Sequence, residues 1–329
     1  MKHNTLMNGL KLCSTLGFVF TMSSAQALTQ DEIDAARDQL IDNINHSDVG
    51  ASYAHMLNFF IEPDISSSSF DVDDEAGTEF NLHKFPFQKS FSFNDQGWKA
   101  MVRATLSYAT ADQKAHIFSN EIIDAEWTAF SGNLGAGLII PVYDSLSFIG
   151  AADIGLSSLE SDAKYKGDIL QEIAPVIDGV AYNWDTNAWI GSLVLGLDYL
   201  KPFAGGYDLD IKGRYTYSYV SSFNESKDLT SFSDDANTLS LKADFTHPLG
   251  FSIAEYPIYG IAHLGNTTFV GNNRDILGFS YFFEVGYSLK VDISHEKLPV
   301  ESLSLGYQWN QGDNVTGYTI LFGWELASF

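Results

Sequence analysis

The chain has 329 residues and a net charge of −24, with 42 acidic side chains against 18 basic ones, which excludes binding to nucleic-acid phosphates. Beyond residue 30 no run of about twenty apolar residues occurs, so a membrane protein built of helices is excluded as well. Aromatic residues reach 14% while the mean hydropathy is only −0.05, the averaged-out hydrophobicity of segments that alternate apolar and polar residues.

At the N-terminus Lys2 and Lys11 precede the apolar stretch LGFVFTM, and Ala25–Ala27 (AQA) is a small-residue cleavage site. Residues 1–27 are therefore predicted to be a signal peptide cut after Ala27, its apolar run being too short to span a bilayer. Cys13, the only cysteine, leaves with it, and the mature chain has neither thiol nor disulfide, as suits export through an oxidising compartment. Residues 28–48 form the next predicted unit. Thr29 and Glu32 make a T-x-x-E capping box. Ile33, Ala36, Leu40, Ile41 and Ile44 then recur on one helical face, with Asp31, Asp34, Arg37, Asp38 and Asp42 on the other.

From residue 49 to 329 the period changes to two, the mark of strands with unlike faces. In FSYFFEVGYSLKVDIS (279–294), Phe279, Tyr281, Phe283, Val285, Tyr287, Leu289, Val291 and Ile293 alternate mostly with Ser280, Glu284, Ser288, Lys290 and Asp292. Strands of soluble domains run about 5–6 residues, whereas a membrane strand needs about 9–11 with one face turned to lipid. Strands are predicted at 52–62, 78–93, 98–109, 123–142, 145–158, 186–203, 206–221, 236–248, 256–270, 276–293, 301–311 and 315–329. Their links alternate in length. NDQG, YDS, AGG, GFSIAEY and HEKLPVE are short. EPDISSSSFDVDDEAG, TADQKAHIFSNEI, ESDAKYKGDILQEIAPVIDGVAYNWD and NESKDLTSFSDD are long, and GNNRD and QGDN on the same side are modest. Outer-membrane barrels combine an even strand number with short periplasmic turns and longer outer loops. The expected fold is all-β, a transmembrane antiparallel up-and-down β-barrel of about 12 strands over residues 49–329, with one short N-terminal α-helix. An even count puts both termini on the periplasmic side. A secreted β-sandwich also alternates, but strand length and loop asymmetry favour the barrel.

Aromatic side chains should gather at the two membrane interfaces. Trp189, Tyr217, Tyr219, Phe279, Tyr281, Trp309 and Tyr318 fall at the outer one, and Trp98, Tyr199, Tyr207 and Phe329 at the inner one. The opposite phase points charge into the lumen: Lys99, Arg103, Asp153, Asp198, Asp208, Asp210, Lys212, Arg214, Lys242, Asp244, Glu284, Lys290, Asp292 and Glu325. Mixed signs on neighbouring strands, with Asp210, Lys212 and Arg214 facing Lys242 and Asp244, can form cross-strand pairs that fill the lumen, or line an open pore. The 28–48 helix offers a second way to close it, and could equally lie in the periplasm against a partner.

No pattern of catalytic or metal-binding residues stands out. The acidic loop cluster Asp71, Asp73, Asp74 and Glu75 lacks the spaced ligands and central Gly of a calcium loop, so no metal is expected. The mature histidines are His46, His55, His83, His116, His247, His263 and His295. HIFSN holds His116, Ser119 and Asn120, and nothing orients them as a nucleophile needs. A non-enzymatic protein without a cofactor is expected.

The chain ends YTILFGWELASF, and Phe329 closing an alternating strand resembles the assembly signal of bacterial outer-membrane barrels. Signal, one helix and a twelve-stranded barrel together resemble the translocator domain of type V autotransporters, in which a helix occupies the lumen. With no passenger ahead of the helix, the layout is similar to the solitary autotransporter-like barrels. The resemblance implies a Gram-negative outer-membrane location, surrounding lipid and lipopolysaccharide, and barrel-assembly machinery and periplasmic chaperones during biogenesis. It also implies a plugged membrane scaffold or partner-dependent translocator, here expected as a monomer, the alternative being a small-solute channel.

Overall fold

The computed structural model describes residues 29–45, 49–61, 67–74, 77–118, 120–226, 231–271, 274–294 and 300–326. The predicted signal peptide, Ser119 and Phe329 lie outside them. Among the described residues twelve strands form one closed antiparallel barrel. They are β1 (Ser67–Val72), β2 (Glu79–Ser92), β3 (Lys99–Phe118), β4 (Glu121–Tyr143), β5 (Leu146–Lys166), β6 (Trp184–Phe203), β7 (Tyr207–Phe223), β8 (Ser233–Ile253), β9 (Tyr256–Val270), β10 (Tyr281–Asp292), β11 (Val300–Gly312) and β12 (Val315–Leu326). Each pairs with its sequence neighbours, and β1 closes the ring by running antiparallel to β12, Ser67 opposite Ile320 and Val72 opposite Val315.

The pleat explains the closure. On β10, Tyr281, Phe283, Val285, Tyr287 and Leu289 are exposed on the outer wall, while Phe282, Glu284 and Ser288 are buried inside. A wall of this kind leaves no strand edge to satisfy in lipid and offers lipid mainly apolar side chains. Leu195, 52% exposed near the middle of β6, faces the hydrocarbon. Leu195→Arg is therefore expected to lower stability by about 2–4 kcal/mol, read from denaturant midpoints of protein folded into vesicles.

The two ends of the barrel differ. One carries tight turns, among them Ala254–Glu255, whose positive φ values of 49° and 73° suit a two-residue hairpin. The other carries the β5–β6 connection with its helix, Asp168–Ile177. These are the turn end and the loop end. Strands rise further toward the loop end than the alternation predicted. Residues read as the 110–122 loop continue β3 to Phe118 and begin β4 at Glu121, and β5 runs on to Lys166.

Two helices precede the barrel: α1 (Gln30–Asn45) and α2 (Val49–Ile61), with Asp168–Ile177 as α3. The first strand, predicted over 52–62, therefore falls on a helix that runs to Ile61, and the first strand lies later, at Ser67–Val72. The predicted barrel segment 49–329 thus begins with a helix inside the ring.

Candidate functional site

The site is the lumen and what closes it. In α2 (VGASYAHMLNFFI) every residue from Ala54 to Phe60 is buried. A helix apolar on all sides has to be enclosed, and here the loop-end half of the barrel encloses it. The wall answers in kind. Phe70, Phe80, Leu82, Trp184, Ile190, Phe269 and Phe282 point inward, reversing the polar-inside rule of a water-filled barrel. The Phe59 ring lies 5.3 Å from those of Phe80 and Phe269 and 6.0 Å from that of Phe70.

Polar contacts fix the register of α2. Asn58 Nδ2 donates to Thr238 Oγ1 on β8 at 2.5 Å, and its Oδ1 accepts from Ser218 Oγ on β7 at 2.6 Å. The ammonium of buried Lys84, on β2, donates to the Phe59 carbonyl at 2.8 Å, a cation at the negative end of the helix dipole.

Above α2 the mouth carries a second layer. Leu170, Ile173, Val176 and Ile177 of α3 are buried against Ile123 and Ala125 of β4. The carboxylate of Glu121, also on β4, accepts the Leu170 N–H at 2.9 Å and so satisfies the first turn of α3. At the other end of α3, Arg37 of α1 donates to the carbonyls of Pro175 at 2.6 Å and Asp178 at 2.8 Å. Ile33 and Ala36 of α1 pack on the same cluster, while Asp31, Asp34 and Asp38 are exposed. The Thr29 carbonyl accepts the Ile33 N–H at 3.0 Å, and the side chains of Glu32, Leu40, Ile41 and Ile44 lie outside the described residues. The predicted plug helix thus sits on α3 at the loop end, and α2 is the segment in the lumen. The described chain consequently starts at the loop end and finishes at the turn end, where Leu326 closes β12.

Below α2 the lumen is polar and paired. Arg103 holds Asp153 through two nitrogens, and Arg214 pairs with Asp198. Lys242 reaches Glu284 at 3.2 Å. Glu284 also accepts from Gln308, which donates to Asn310, which donates to Thr319, which shares a 2.7 Å hydrogen bond with Ser68. That chain runs from β10 to β1 across the closing seam.

The expected pairing between β7 and β8 is corrected. Register sets Asp210 opposite Asp244 and Lys212 opposite Lys242, like against like, which is unfavourable at such range. The closest partners lie along one strand or on the next: Lys212 bonds Asp210 of its own strand at 2.8 Å, and Asp244 meets His263 of β9 at 2.7 Å, while Lys212 of β7 still attracts Asp244 of β8 diagonally. Asp208, Lys290 and Asp292 are half-buried nearer the turn end, Lys99 is exposed there, and the Glu325 side chain lies outside the described residues.

A family model for the solitary outer membrane autotransporter β-barrel domain matches residues 66–326, the whole ring from the approach to β1 through Leu326. The chain belongs to that family.

Like other autotransporter β-barrel domains, this solitary barrel resides in the Gram-negative outer membrane. Among solved structures, the translocator domain of the autotransporter NalP from Neisseria meningitidis superposes with a TM-score of 0.53 at 10% identity, covering 87% of this chain and 98% of that one. The transport unit of AIDA-I from Escherichia coli gives a TM-score of 0.47 at 11% identity, over 85% of this chain and 98% of that one. No curated protein sequence matches the chain.

On the outer wall of the solitary barrel, Trp189, Tyr217, Tyr281, Trp309 and Tyr318 are exposed, and Trp98, Tyr199 and Tyr219 are half-buried. Phe279 is the correction. It precedes β10, is 2% exposed, and packs inward on Phe70, Phe269 and Phe282, so it belongs to the plug and not to an interface girdle. His116 is exposed near the end of β3.

Proposed function

We propose that this solitary autotransporter barrel is a plugged outer-membrane scaffold that holds its N-terminal segment at the loop mouth, with any translocation dependent on a partner chain. The observation that carries the reading is α2, enclosed by apolar wall residues and bonded at Asn58 to two strands and at Phe59 to a third. Short turns belong to the periplasm and long connections to the cell surface. By that rule α1 and α3 stand at the surface and Leu326 at the periplasm. The barrel sits among lipid and lipopolysaccharide as a monomer, after passage by periplasmic chaperones to the barrel-assembly machinery.

Single-channel recording in planar bilayers tests the plug. Full-length protein is expected to conduct poorly. Removing residues 28–48 alone should change little, because α1 covers α3 and leaves α2 in place. Removing residues 28–61 should raise conductance several-fold. Equal, steady conductance in all three forms would replace the plug with a small-solute channel.

A further inference from the structure

The partners of His263 come from other strands. Asp244 on β8, His263 on β9 and Ser288 on β10 occupy consecutive strands of the lumen wall below the plug. Asp244 Oδ1 lies 2.7 Å from Nδ1 of His263, and Ser288 Oγ lies 2.7 Å from Nε2. With the Nδ1 proton held by the carboxylate, Nε2 is left to accept the Ser288 hydroxyl proton. This is the order nucleophile, base, orienting acid. Register produces it. Asp244 is directly opposite His263, and His263 is opposite Gly286, two residues before Ser288 on the same face. Gly306 of β11, opposite Ser288, leaves room for the hydroxyl, since a Cβ there would stand 2.0 Å from Ser288 Oγ. Ser288 itself is buried, whereas the Asp244 and His263 side chains are 31% and 15% exposed. The approach is therefore along the histidine, from the turn end, where no described helix lies.

We propose that Ser288 is a nucleophile activated by His263, able to take the acyl group of a small ester that enters the lumen from the turn end. Ser288 Oγ bonds to the acyl carbon as its proton passes to Nε2 of His263, and the alcohol leaves with that proton when the ester C–O bond breaks. Water then adds to the acyl carbon, giving a proton to His263. The acyl–Ser288 bond breaks, the proton returns to Ser288 Oγ, and the carboxylic acid departs. Asp244 touches no reacting atom and is a positioning residue for the imidazole. Backbone N–H groups of these strands are engaged in the ladder, so charge developing on the substrate oxygen falls to a side chain. Lys290, two residues along β10, shares the face of Ser288. The proposal goes beyond the plugged-scaffold reading and departs from the non-enzymatic expectation.

The test is covalent labelling of the full-length barrel, folded in vesicles, with a small alkyl fluorophosphonate, the adduct located by peptide mass mapping. One adduct at Ser288 is expected, formed faster as pH rises, since a general base acts only in its unprotonated form. Ser288→Ala should carry none, and His263→Gln should label about 100-fold more slowly or less, as loss of a general base implies. Asp244→Asn should also slow labelling. Heat-modifiable gel mobility reports whether each variant is folded, and if His263→Gln does not fold, the pH profile of the unmutated protein decides. No adduct at Ser288 in folded protein, or one whose rate ignores pH or the His263 change, overturns the proposal.

Discussion

Phe59→Ala is expected to lower the stability of the folded barrel by about 3–5 kcal/mol, the range for truncating an enclosed aromatic ring. Phe59 is fully buried, and its ring meets three wall rings from three strands: Phe70, Phe80 and Phe269. Truncation removes those contacts and leaves a void that closed strands cannot collapse to fill. The control is Phe283→Ala on the outer wall. Phe283 is exposed there, and acyl chains can occupy the space its ring leaves, so the loss should be much smaller. Denaturant titration in vesicles compares the two. Equal losses would mean that α2 does not pack inside the wall as described.

The same contrast explains what the sequence made legible. Eleven of the strands, β2 to β12, are placed by period two, β2 and β4 less regularly than the rest, because one face meets lipid and the other, for most of its length, a polar lumen. The reading failed where the lumen is not polar. SYAHMLNFFIE is apolar with no helical stripe, because α2 is buried on every side, and a short apolar run cannot be told from a strand by periodicity. SSSSFDV read as loop because β1 has the inverse pattern, with Phe70 and Val72 inward on the plug and Ser69 and Asp71 outward. Phe279 deceived for the same reason, continuing the outward phase of β10 in sequence while the chain turns it into the lumen. An apolar inward face, where the exterior phase turns polar, was the available signal that something apolar fills the mouth.

Lumen charges were legible by phase but not by partner, since pairing needs register. Register reveals a repeated device. Arg103 on β3 is opposite Gly135 on β4, which is opposite Asp153 on β5. Lys242 on β8 is likewise opposite Gly265 on β9, which is opposite Glu284 on β10. Each glycine lets two long side chains meet across the strand between them. At Gly135 a Cβ would stand 1.9 Å from Asp153 Oδ1, and at Gly265 it would stand 2.4 Å from Glu284 Oε2.

The first of these pairs decides whether the lower lumen is filled or is a solvated pore wall. The Arg103 and Asp153 side chains are only 9% and 4% exposed. Removing one partner from a pair so enclosed strands the other charge, and Arg103→Met is expected to cost about 3–5 kcal/mol in denaturant titration. The cost should come mostly from desolvated Asp153 and not from lost attraction. The double variant Arg103→Met, Asp153→Leu removes both charges while keeping much of the volume, so it should recover most of the loss or exceed the parent, as apolar replacement of buried pairs can. A pair bathed in pore water would behave differently. Either single change would then cost about 1 kcal/mol or less, and the double variant would gain nothing. That result would turn the lower lumen into an aqueous channel and leave α2 as its sole barrier.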